Sequence, residues 1–125
     1  MKINVSIGEV VDKVTILSIK IDKFKNPDKL ANVQKEYDIL SVEIEKSGIA
    51  VGSEDFNALK EINLKLWQIE DAIRVKESNR EFDDEFIKLA RSVYFTNDER
   101  AAVKRQINLK FNSNLIEEKE YVKYK

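Results

Sequence analysis

Asn63, Trp67, Glu70, Arg74 and Glu77 recur at intervals of three and four, the spacing that stacks side chains along one stripe of a helix. Leu59, Ile62, Leu66, Ile69 and Ile73 fill the adjoining stripe with ordinary core spacing. An amide, an indole, a guanidinium and two carboxylates beside a core seam can make either a ligand site or a structural ion-pair ladder. Glu70 and Arg74 lie four apart with the acid nearer the helix start, the favourable order for an intrahelical pair. Glu77 is placed to share the same guanidinium. Trp67 is the only tryptophan, and an exposed indole calls for a cover. That cover is a helix of this chain, a partner, or a planar ligand.

A second set of candidates is acidic. Glu9 and Asp12 lie three apart with Lys13 beside both. Two carboxylates at this spacing can share a divalent cation or simply face water. With Glu70 and Glu77 on another helix, they would make a metal set of Glu9, Asp12, Glu70 and Glu77. This is loosely similar to all-helical nucleotide pyrophosphatases, which hold magnesium with paired acids on two adjacent helices, although the dense acidic signature of that class is missing. The chain has no histidine and no cysteine. Disulfides, thiolate catalysis and the usual zinc ligands are thereby excluded. Any metal would be a hard ion such as magnesium or manganese, and a hydrolase would run on metal-activated water.

The third set lies in ARSVYFTNDERAAVKRQIN. Arg91 and Tyr94 precede a turn expected at Asn97 and Asp98; Arg100, Lys104 and Arg105 follow it. Thr96 and Glu99 read as a capping box, and a helix starting there would point free backbone N–H groups at an anion. The nearby arginines would complete a pocket for a phosphate or a carboxylated sugar. The plain alternative is that Asp98 supports its own helix start while Arg100 and Lys104 face solvent. No glycine-rich phosphate loop is present, so a P-loop nucleotide site is not indicated.

Charge excludes other classes. Lys plus Arg is 22 and Asp plus Glu is 23, a formal net charge of -1, which exerts no long-range pull on nucleic acid or anionic lipid. Lys104, Arg105 and Lys110 are too few for a nucleic-acid stripe and are diluted by Glu99, Glu117, Glu118 and Glu120. No apolar run approaches the roughly 20 residues a membrane span needs, and the apolar run at the N-terminus breaks too early for a signal peptide. A cytoplasmic protein is expected, with neither nucleic acid nor membrane as partner.

The elements that must position these groups are helical. Met1 to Val5 alternate as a short extended arm would. Ser6 and Glu9 read as a capping box, opening a helix expected to end near Lys25. Asn26 caps the second helix with Pro27 at its first position, and Gly48 stops it. Ser53 caps a third helix running to about Asn79, about 40 Å by the helical rise. A fourth is expected from Asp83 to Ser92, and a fifth from Thr96 through Phe111. The end, EEKEYVKYK, reads as either a mobile tail or an arm that docks through its tyrosines.

The stretches VSIGEVVDKVTIL, KLANV, LWQIEDAIR, FIKLARSVYFTNDERAAVKRQIN and EEKEY occur in order and cover most of the chain. On them the chain resembles a family of small all-helical bacterial and cyanophage proteins of unknown function. The bacterial members are associated with surface-polysaccharide gene neighbourhoods. The resemblance points to Glu9, Asp12, Lys13, Asn63, Trp67, Glu70, Asp71, Arg74, Glu77, Arg91, Tyr94, Asn97, Asp98, Arg100, Lys104 and Asn108, and implies no reaction.

The expectation is therefore an all-α, bundle-like domain over residues 1–125, with three longer helices followed by two shorter ones. Helix three is long enough to project and to pair with a second copy as a homodimer. The leading functional expectation is a binding or interaction module without a cofactor, meeting an anionic small molecule or protein partner. Its ligand-binding residues would be Lys13, Asn63, Trp67, Arg74, Arg91, Tyr94, Asn97, Arg100 and Lys104. The alternatives are a carboxylate–metal hydrolase of a nucleotide or sugar phosphate, using magnesium or manganese, and a purely structural dimerisation protein.

Overall fold

The computed structural model describes residues 1–124; Lys125, the last residue of the expected tail, lies outside them. Four helices form an all-α bundle: α1 (Ile7–Lys23), α2 (Pro27–Lys46), α3 (Glu54–Ser78) and α4 (Asp84–Lys110). Short polar residues start each of them. The side chains of Ser6, Asn26, Ser53 and Asp83 each accept hydrogen bonds from backbone N–H groups of the first helical turn, satisfying donors that would otherwise be orphaned. Gly48 sits at φ 92, the left-handed conformation that lets the chain leave α2.

The expected division of the second half into two short helices is wrong. Residues 84–110 form one continuous helix of 27 residues, the longest in the fold. Thr96 is not a cap; it is buried in the middle of α4. The Thr-x-x-Glu spacing that marks a helix start also occurs inside helices, and no glycine or proline interrupts α4. The anion-binding helix start expected at Thr96 therefore does not exist, because the N–H groups there belong to the ladder of α4.

Helix α1 is the hub. It packs against all three other helices, α3 and α4 pair along their lengths, and α2 approaches only α1. Val11, Val14, Ile44, Ile49, Phe56, Leu59 and Ile107 form the central cluster. Burying each such side chain contributes about 1.5–3 kcal/mol, which offsets the modest helix propensity of the β-branched residues in α1. Outward from this core, Val75, Phe82 and Ile87 are exposed where α3 turns into α4. Lys76 closes that turn with ion pairs to Glu81 at 3.1 Å and Asp83 at 2.9 Å.

Beyond α4, residues 114–124 form no helix and run back along α4 as a strap. Ser113 accepts from the Ile7 N–H at 2.9 Å. Glu117 meets Lys104 at 3.3 Å, Glu118 meets Arg105, and the Tyr124 hydroxyl donates to Asp98. From Glu117 and Glu118, which meet Lys104 and Arg105, to Tyr124, which meets Asp98, the strap moves back toward the start of α4, antiparallel to the helix. No helix among the described residues is long and apolar enough to cross a membrane.

Candidate functional site

Two helices contribute buried polar residues to one junction. Asp12 and Thr15 from α1 and Asn63 from α3 are all shielded from water. Asn63 Nδ2 donates to Asp12 Oδ1 at 2.7 Å and to Thr15 Oγ1 at 2.8 Å. Thr15 Oγ1 in turn donates to the backbone oxygen of Asp12 at 2.6 Å. With its nitrogen committed to α1, the Asn63 amide points its oxygen toward α4. There it accepts a hydrogen bond of 3.4 Å from Arg100 Nη1. The amide orientation is dictated by these partners, since the reverse would set its oxygen against a carboxylate.

Lys104, one turn further along α4, is only 7% exposed. Its ammonium donates to Glu9 at 2.7 Å and lies 4.0 Å from Asp12 and 3.3 Å from Glu117. Burial opposes its charge. The hydrogen bond to Glu9 and the fields of Asp12, Glu9 and Glu117 outweigh that opposition and raise the lysine pKa above its ordinary value. Glu117 responds in the opposite sense: desolvation pushes it up, but Lys104 and Lys119 hold it below the usual carboxylate value. The close approach of α1 to α4 depends on Gly8. A Cβ there would lie 2.6 Å from the Lys104 carbonyl oxygen and 2.9 Å from Asn108 Oδ1. The Gly8 N–H donates to that same Asn108 oxygen at 2.6 Å.

In front of Asn63, the faces of α3 and α4 leave a groove of about 380 Å³. Trp67 and Arg74 line it from α3, and Asn97 and Arg100 from α4. Trp67 is half-buried and packs against Phe24 with ring centroids 6.3 Å apart. Glu70 and Asp71 also line the groove, with Glu70 4.0 Å from Arg74. Among the described residues, Arg100 meets no carboxylate at ion-pair distance, and its guanidinium donates to the neutral Asn63 amide. A half-buried guanidinium aimed into a groove with its donors largely uncommitted is suited to a phosphate or carboxylate.

Five of the nine ligand residues expected from the sequence, Asn63, Trp67, Arg74, Asn97 and Arg100, meet at this groove. The other four do not line it. Lys13 pairs with Glu36 of α2 at 3.3 Å. Arg91 lies over the Phe95 ring at 5.8 Å. Tyr94 packs edge-on against Tyr124 at 5.0 Å, and Lys104 is held among its carboxylates. The metal set is not assembled: Glu9 and Asp12 face Lys104, Glu70 faces Arg74, and Glu77 is exposed. Among the described residues, no group of three or more acidic side chains is arranged to hold a metal ion.

Sequence reasoning did not single out Thr15 or Gly8, and it treated Glu117 as diluting charge. Thr15 had a local signal, three residues beyond Asp12 on the same helix. The roles of Gly8 and Glu117 depend on α4 and the strap lying against α1, which no local spacing announces.

No curated protein and no solved structure matches the chain. A family model, described as a family of unknown function, DUF6165, matches residues 1–124. With nearly its whole length covered by that one model, the chain belongs to the DUF6165 family.

Proposed function

We propose that the protein is a binding module for a small anionic ligand, held in the groove between α3 and α4 with Arg100 as its principal anchor. The observation that carries this reading is the state of Arg100: half-buried, without a carboxylate partner among the described residues, and steadied from behind by Asn63. Positioning a guanidinium in advance reduces the ordering cost of binding. Asn97 adds a neutral donor and acceptor beside it, Trp67 offers a flat apolar face, and Arg74 stands at the mouth as a second cation. A phosphate or carboxylate on a compact polar body, such as a sugar phosphate or a uronic acid, suits these groups. The surface-polysaccharide setting implied by the family resemblance agrees with that class, and a cytoplasmic location goes with it.

This reading is preferred to a carboxylate–metal hydrolase because Glu9 and Asp12 are committed to Lys104 and Glu70 faces Arg74. Trp67, as the only tryptophan, reports directly on the groove. Titration with phosphate, sugar phosphates and uronates is expected to change its fluorescence saturably. Arg100→Ala should abolish the change while leaving helicity intact, and Lys13→Ala, outside the groove, should not affect it. A thermal shift with magnesium or manganese and none with anions would favour the hydrolase instead. No shift with either, together with a dimer lost on shortening the α3–α4 turn, would favour a structural role.

A further inference from the structure

Arg100 and Asn97 are one helical turn apart on α4, and together they line two hollows rather than one. On the α3 side is the groove with Trp67. On the strap side is a second hollow of about 540 Å³, where Tyr94, Lys119, Tyr121 and Tyr124 join Asn97 and Arg100. Aromatic faces therefore stand on both sides of one guanidinium. Tyr121 is 70% exposed, an unusual state for a large aromatic side chain lining a hollow. Two of the three acids nearby are engaged, Asp98 by the Tyr124 hydroxyl and Glu70 by Arg74, and Asp71 is exposed. Lys119 is paired with Glu117 at 3.4 Å, so Arg100 is the cation at the centre without a carboxylate partner among the described residues.

We propose that the two hollows form a single binding track with Arg100 at its midpoint, and that the C-terminal strap supplies its second half. The ligand class is an elongated diphosphate carrying a planar group at each end, as in a dinucleotide. Arg100 grips the diphosphate through its paired N–H donors, the geometry in which guanidinium outperforms ammonium. Lys119, paired with Glu117 at 3.4 Å, lines the strap side of the track. One planar end stacks on Trp67, and the other lies among Tyr94 and Tyr121. The strap is held by side-chain contacts, through Glu117, Glu118 and Tyr124, so the far half of the track can adjust to its occupant. This inference rests on the reading of Arg100 as an anion anchor and extends it to the size and shape of the ligand.

The test is calorimetric titration of the full chain with inorganic pyrophosphate, ADP and diadenosine diphosphate, repeated on Tyr121→Ala. Tyr121 is largely exposed, so its removal leaves the fold intact. Stacking of each ring on an aromatic face strengthens binding severalfold or more. Diadenosine diphosphate should therefore bind at least about tenfold more tightly than pyrophosphate, with ADP between them. Tyr121→Ala should weaken only the ligands that carry rings. Equal affinity for pyrophosphate and diadenosine diphosphate, or ring-bearing ligands indifferent to Tyr121→Ala, would overturn the track and leave the anion groove standing. No binding of any of the three would overturn both.

Discussion

Asn63 Nδ2 and Asp12 Oδ1 lie 2.7 Å apart, and this contact joins the polar edges of α3 and α1 inside the bundle. Both residues are buried, so neither has water as an alternative partner. The same amide supports Arg100 from its other end. The packing of α1 against α3 thus bears on the aim of a guanidinium on α4.

Replacing Asn63 with leucine keeps the volume but leaves the Asp12 carboxylate without its amide donor. A buried charged acceptor deprived of a partner costs about 1.5–3 kcal/mol. Urea denaturation should show Asn63→Leu destabilised by about that amount. Anion binding should weaken as well, because Arg100 loses its support. An Asn63→Leu protein as stable as the parent would mean that the Asp12 carboxylate is adequately served by Lys104 alone.

The Gly8 contact makes a sharper steric prediction. A methyl group 2.6 Å from a backbone oxygen must push α1 and α4 apart. Gly8→Ala should therefore lower stability by about 1–3 kcal/mol, the usual cost of overpacking, despite the higher helix propensity of alanine. Thermal melts on Gly8→Ala, with Ala101→Gly as a comparison elsewhere on the helical surface, would check it.

The strap should respond to pH at both ends of the scale. The Glu117 pKa is lowered in the folded protein, so its contribution is present above the unfolded value near 4.5 and is lost as pH falls through the folded one. The Tyr124 pKa is raised to about 12, first by its hydrogen bond to Asp98. Its contribution is present below the ordinary tyrosine value of 10.0 and is lost as pH rises through about 12. Comparing melting temperatures of the parent and Glu117→Gln, the difference should be present at neutral pH and vanish in acid. Absorbance titration should find a tyrosine ionising near pH 12, and Tyr124→Phe should remove that step.

Continuity of α4 is open to direct measurement. Backbone amides of Asn97, Asp98 and Glu99 should exchange slowly, as in a helix interior. A break at Thr96 would expose them to solvent, so rapid exchange there would restore two shorter helices.

The legible parts of the fold were those written locally. Ser6, Asn26 with Pro27, and Ser53 are short-range signals that compete with little else, and α1, α2 and α3 start where they say. Thr96 and Glu99 carry the same spacing, yet the long-range requirement to bury Thr96 overrides it, and α4 continues. The stripe of Asn63, Trp67 and Arg74 was readable because helical periodicity puts those residues on one side of α3. The pairing of Lys104 with Glu9 and Glu117 was not, since its partners lie 95 and 13 residues away and meet only after the helices pack and the strap folds back.

The central claim is that the Arg100 guanidinium holds an anion, and it can be watched directly. Side-chain Nε–Hε resonances of the arginines in 15N-labelled protein can be followed during a pyrophosphate titration. The Arg100 resonance should shift to saturation, Arg74 should move less, and Arg105, paired with Glu118 in the parent fold, should stay in place. An Arg100 resonance that does not move, in a protein that remains folded throughout, would contradict the account.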